Sequence, residues 1–141
     1  MSWTVKNKVL VPVDFSEITF SALKVAEDFT VKNEDIHVIH VVREVNPAVM
    51  GGYLGKECTD NRPQVCEQIL REKINSEFPN VRIHVDCGEP GSLIASYAGD
   101  IQAELIIMTS FGRRGLKEYM IGSVTERTLR LAKCPVLVLK P

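Results

Sequence analysis

The sequence has no cysteine pair spaced for a metal or a redox centre. Its four cysteines, Cys58, Cys66, Cys87 and Cys134, are scattered through 141 residues without a CxxC. They read as free thiols of a reducing compartment. Long apolar runs are also missing, since nothing approaches the ~18 residues of a membrane span. Near the start, Lys6 and Lys8 precede only Val9 to Val13 before Asp14. That stretch is too short for a signal-peptide core and lacks a small-residue cleavage site, so the expected location is the cytoplasm, with no membrane partner. Nor does one sign of charge dominate. Seventeen Lys+Arg against eighteen Asp+Glu leave a net charge of −1. This balance argues against a whole-surface nucleic-acid binder but leaves room for a local basic patch. No internal repeat or low-complexity stretch is present.

What the chain does have is ordinary globular composition, 45% hydrophobic and 25% charged. At about 150 residues per domain, residues 1–141 are expected to form one domain. A chain of this size buries roughly 68–70% of its unfolded surface and needs no staple.

Two hydrophobic periods alternate. Lys8–Val13, Ile36–Val42, Val81–Asp86, Glu104–Met108 and Val136–Leu139 are short apolar, mostly β-branched runs and read as strands. Ile18, Ala22, Val25 and Phe29 recur at helical spacing, so residues 17–32 read as a helix with Ser16 as N-cap. Further helices are predicted over about 62–78, with Pro63 in the first turn, over 91–101 after the break at Gly88-Glu89-Pro90-Gly91, and over Ser123–Ala132, ending before Pro135. Strands that alternate with helices pair in parallel. Strands without polar alternation suit a sheet covered on both faces. The expected fold is α/β, a single five-stranded parallel sheet with helices on both faces, Rossmann-like. Two strand-order families suit such a chain. In the order 3-2-1-4-5, ligands bind outside the carboxyl ends of strands one and four.

The second loop at that position, Thr109 to Ser123, is the most informative segment. Gly112 and Gly115 allow tight turns with exposed N–H groups, and Arg113, Arg114 and Lys117 add positive charge. Gly122-Ser123 opens the last helix, whose N-terminus offers unpaired donors and a positive dipole end. Together these features describe a polyphosphate cradle. Ser123 with Glu126 also spells a capping box, which stabilises a helix start with or without phosphate. The arginines read equally as solvated charges. Asp14, ending the first strand, can accept ribose hydroxyls or cap the next helix. His37 and His40, three apart in a strand, point to opposite faces and cannot share a metal. With His84 they read as core or edge histidines. Residues 43–61 form a nineteen-residue loop, longer than the usual limit of about 12–15, and read as a mobile insertion or as a flap over the site.

These residues resemble the universal stress protein family over the whole length of the chain. Lys8 through Ser16 is similar to the family's first strand and turn. Ile39-His40-Val41-Val42 is similar to its second strand, and Gly88-Glu89-Pro90 to the turn before its third helix. The segment from Leu105 through Ser123 to Cys134-Pro135-Val136-Leu137-Val138 carries the most specific likeness. The resemblance implies an adenine nucleotide alpha hydrolase-like fold. Some members bind ATP through G-x2-G-x9-G-[S/T], and others lack the pattern and do not. Here it reads Thr109-x2-Gly112-x9-Gly122-Ser123. Thr109 replaces the first glycine, and Phe111 stands where many members carry histidine. A β-branched residue is poorly suited to a position that needs φ > 0 or close approach of a ribose. The roles implied are an adenine pocket lined by Val41 with Pro12 and Val13 nearby, and Asp14 and Thr109 on the ribose side. Gly112, Arg113, Gly122, Ser123 and Val124 would hold the phosphates. The implied ligand is ATP, ADP or AMP, with or without magnesium.

Hydrolysis needs placed metal ligands and a residue that positions water. No convincing pair is legible, so a nucleotide-binding regulator is expected rather than an efficient ATPase. In the 3-2-1-4-5 order Val136–Leu139 is an uncharged edge strand that must be covered. Pairing with a second copy across a two-fold axis does this, and the resemblance implies the same homodimer. The competing reading is a nucleotide-free dimer of the same family that binds partners. A phosphoacceptor receiver lacks its acidic cluster. Flavodoxin-like and dinucleotide roles lack their loops after the first strand.

Overall fold

A computed structural model describes residues 5–43, 63–110 and 121–140, with Glu17 and Ile18 described through their backbone only. Five strands and four helices alternate: β1 (Val9–Pro12), α1 (Glu17–Phe29), β2 (Ile36–Val42), α2 (Pro63–Asn75), β3 (Arg82–Cys87), α3 (Pro90–Asp100), β4 (Leu105–Thr109), α4 (Ser123–Leu131) and β5 (Val136–Leu139). All strands pair in parallel in the order β3-β2-β1-β4-β5. The expected architecture is the observed one.

Side-chain alternation along the strands builds two cores. Val9, Val11, Ile36, Val38 and Ile107 face Ala22, Leu23 and Ala26 of α1 and Cys66, Leu70 and Ile74 of α2. Leu10, Ile39, Ile106 and Met108 face Ile94 and Ala98 of α3, with Val124 packed against the same cluster. Helices thus cover both sheet faces, which explains the near-continuous apolar strands.

Element ends differ from the sequence expectation where local contacts overrule periodicity. Helix α1 stops at Phe29 rather than residue 32 because Thr30 turns extended, with φ −126°, and bridges Lys6. Helix α2 ends at Asn75, and the chain then turns through Asn80, whose φ is +69°. The Ser123–Glu126 capping box does not form. Gly122 is the cap residue, Ser123 is already helical, and Glu126 binds Arg130 one turn on at 2.7 Å. The segment 44–61 lies outside the described residues, so the insertion or flap reading is not addressed there.

Candidate functional site

The sheet reverses its order at β1, which pairs with β2 on one side and β4 on the other. Its register with β4 covers only Val9↔Leu105 and Leu10↔Ile106, although β1 runs on to Pro12 and β4 to Thr109. The two strands therefore part at their carboxyl ends. A crevice opens where open α/β sheets take ligands.

Helix α4 begins over this crevice. The Gly122 N–H donates to the Ser110 carbonyl at 2.7 Å, and the Thr125 hydroxyl donates to the Thr109 carbonyl at 3.0 Å. These two bonds fix the helix start against the end of β4. Gly122 is buried and brings no side chain, so no side-chain cap bond forms. The first-turn N–H groups of α4 are left to meet whatever occupies the crevice. Ser123 is exposed beside them and Val124 half-buried.

Thr109 lies in regular β4 and is 8% exposed. Among the described residues, positive φ outside glycine occurs only at Asn80 and Gln102. The position aligned with the first glycine of the pattern therefore needs no left-handed backbone here. Next to it, the Ser110 hydroxyl is buried and has no hydrogen-bond partner among the described residues. Sequence reasoning passed over this residue, because a serine at a strand end signals nothing by spacing. Its orphaned oxygen is the only sign.

The β1–α1 turn is tightly bonded. The Val13 N–H donates to the Ile39 carbonyl at 2.9 Å, and His40 Nδ1 meets the Val13 carbonyl at 2.9 Å. Val13 itself packs in the α1–α2 core, 5% exposed. Asp14 Oδ1 accepts from the Ser16 N–H at 2.7 Å and from the Ser16 and Thr19 hydroxyls. Ser16 thus fills the N-cap position but bonds to Asp14 rather than to the helix. Val41 packs against the α3–α4 side, the side to which strand alternation also assigns Pro12. Pro12, Val41 and Val124 thus belong to one side of the sheet, with Asp14 at the first turn and Thr109, Gly122 and Ser123 at the second. Gly112 and Arg113 lie outside the described residues. His37 and His40 face opposite sides, as expected: His37 lines a cavity with Tyr97 of α3, while His40 meets Phe15 of the other core edge-on at 4.8 Å. No group of three or more His, Cys, Asp or Glu able to hold a metal occurs among the described residues.

The profile of the universal stress protein family matches residues 6–140. The chain belongs to that family. Universal stress protein MJ0577 of Methanocaldococcus jannaschii is 32% identical over 153 residues, covering 95% of this chain and 94% of that protein. Its solved structure superposes with a TM-score of 0.65 at 29% identity over 96% of each chain. Two more distant structures share the fold and hold adenine nucleotides. One is a family protein from Arabidopsis thaliana with AMP bound, with a TM-score of 0.59 at 18% identity, covering 94% of this chain and 90% of that one. The other is a universal stress protein in complex with cAMP, with a TM-score of 0.61 at 16% identity, covering 95% and 97%. No helix among the described residues is long and apolar enough to cross a membrane.

Proposed function

We propose that this universal stress protein binds an adenine nucleotide (ATP, ADP or AMP) in the crevice between β1 and β4, and acts as a dimeric cytoplasmic regulator in the stress response. One observation carries the reading: α4 is pinned over the crevice by two hydrogen bonds, yet its buried glycine cap leaves the first-turn donors uncapped among the described residues. Such a terminus favours an anion. The apolar set Pro12, Val41 and Val124 suits a base, and Asp14 the ribose. Gly112 and Arg113 join through the family pattern, as does magnesium with a triphosphate. Nucleotide-bound relatives support the same ligand class. Regulation is favoured over turnover because no residue is assigned to position an attacking water. The nucleotide-free dimer is the second reading, and Thr109 at the ribose side favours it.

Calorimetric titration with ATP·Mg separates the two. Gly122 has φ −64°, open to alanine, so Gly122→Ala tests steric exclusion of phosphate rather than backbone strain. We expect wild-type heat, a roughly tenfold or greater loss with Gly122→Ala, and equal or tighter binding with Thr109→Gly, since one ill-fitting contact is worth about 1–3 kcal/mol. Equal heats for all three would place the ligand elsewhere. No heat in wild type, restored by Thr109→Gly, would favour the second reading.

A further inference from the structure

A cavity of about 520 Å³ lies at the amino end of the sheet, lined by residues just before and within β3 and by side chains of α2 and α3. The length of β2, about 20 Å, separates it from the crevice above. Because the Gly88 N–H bonds to Val42 of β2, strand alternation turns the amides of Arg82, His84 and Asp86 inward and that of Ile83 outward, over the open edge. Arg82 lines the same groove. Its Nε donates to the Glu34 carbonyl at 3.2 Å, which holds the guanidinium plane. Its two terminal amino groups have no partner among the described residues. Arg71 reaches in from α2, and its bond to Glu67 at 2.7 Å is an exposed pair one turn apart, of small net worth and open to exchange. Within the same groove His37 Nδ1 is buried without a partner among the described residues. Burial, Arg82 and Lys8 depress its pKa, against Asp35 alone.

We infer that this groove is a second anion site, binding a phosphoryl group between the guanidinium forks of Arg71 and Arg82 and the Ile83 amide. Donors converge there from a helix, a sheet face and a strand edge. That arrangement matches a tetrahedral dianion better than a planar carboxylate, which a single fork serves. The inference is independent of nucleotide binding at the other edge. Glu34, the one acid among the described residues that line the groove, opposes the ligand.

The test is an amide chemical-shift titration of the full chain with inorganic phosphate and, separately, with glycerol 3-phosphate, against chloride at equal ionic strength. Saturable shifts centred on residues 80–83 support the site, and the tighter probe tells free anion from monoester. Arg82→Gln and Arg71→Gln should each weaken binding about tenfold. Glu34→Gln should tighten it. Bound phosphate should also raise the titration midpoint of His37 by offsetting Arg82. Arg71 sits on an exposed helix face, so its variant keeps the fold even if Arg82→Gln does not. The proposal fails if chloride reproduces the shifts, if neither arginine variant alters them, or if phosphate moves only residues 122–124. AMP added last should move 122–124 in every variant, so failure of one site is read separately from failure of the other.

Discussion

The carboxylate of Asp14 takes three donors from the turn it begins, and Thr19 stands at the centre of that turn. Its hydroxyl lies 3.2 Å from the Asp14 N–H, 2.9 Å from the Ser16 carbonyl and 3.2 Å from Asp14 Oδ1. Thr19 is 6% exposed. Thr19→Val keeps its volume but removes the hydroxyl that meets the Asp14 N–H and the Ser16 carbonyl. The expected cost is about 1–3 kcal/mol, lowering the thermal midpoint by roughly 2–4 °C per kcal/mol in a chain of this size. Nucleotide affinity should fall as well, because Asp14 Oδ1 loses the Thr19 donor and is then held through Ser16. Scanning calorimetry with and without AMP reads both effects. Asp14 was legible in the sequence because an acid ending a strand before a helix has few roles. Thr19 was not, because its bonds run backwards within one turn and leave no periodic trace. Ser110 was silent for a similar reason: burial without a partner is visible only in three dimensions.

At the scale of elements, the α3–α4 contact depends on a small residue at one point. A Cβ on Gly91 would meet Arg127 Cβ at 2.7 Å and Cγ at 2.9 Å. The stem of a helix side chain cannot swing away, so Gly91→Ala must separate the helices, with an expected loss of about 1–3 kcal/mol in urea unfolding. Glu89 ties the same corner together. It caps α3 through the Gly91 and Ser92 N–H groups and meets Arg127 Nε at 2.9 Å. The Ser92 side chain, then the Ser92 and Gly91 amides and Arg127, hold its pKa below the usual carboxylate value, outweighing desolvation. Because the folded pKa is lowered, this stabilisation is complete above the unfolded value and is lost as pH falls through the folded one. Glu89→Gln should therefore flatten the acid side of a plot of thermal midpoint against pH and leave its slope near neutrality unchanged. Strand and helix order was readable because apolar period and turn residues agree. Two of the misplaced ends share a cause: Thr30 and Gly122 obey contacts with other elements, which a one-dimensional pattern does not contain.

Over the whole molecule the sheet has two edges, and they are unlike. On one face of β3 stand Arg82, His84 and Asp86, which discourage strand addition. The residues of β5, Val136 to Leu139, carry no charge and stay partly exposed. The ladder shows which of its groups face outward. The Ile106 N–H bonds to the Pro135 carbonyl and the Ser110 N–H to the Leu139 carbonyl, so residues 135, 137 and 139 serve β4 while Val136 and Val138 turn their N–H and C=O groups away. Val138→Pro therefore removes one outward donor and none of the bonds to β4, in a position where proline is tolerated on an edge strand. If two copies pair through β5, light scattering at micromolar concentration should give a dimer mass for the wild-type chain and a monomer mass for Val138→Pro, with the thermal transition of the variant still cooperative. A wild-type monomer, or a dimer that survives the proline, would exclude pairing through this strand and leave α4, whose own Leu129 and Leu131 are exposed, as the surface to examine.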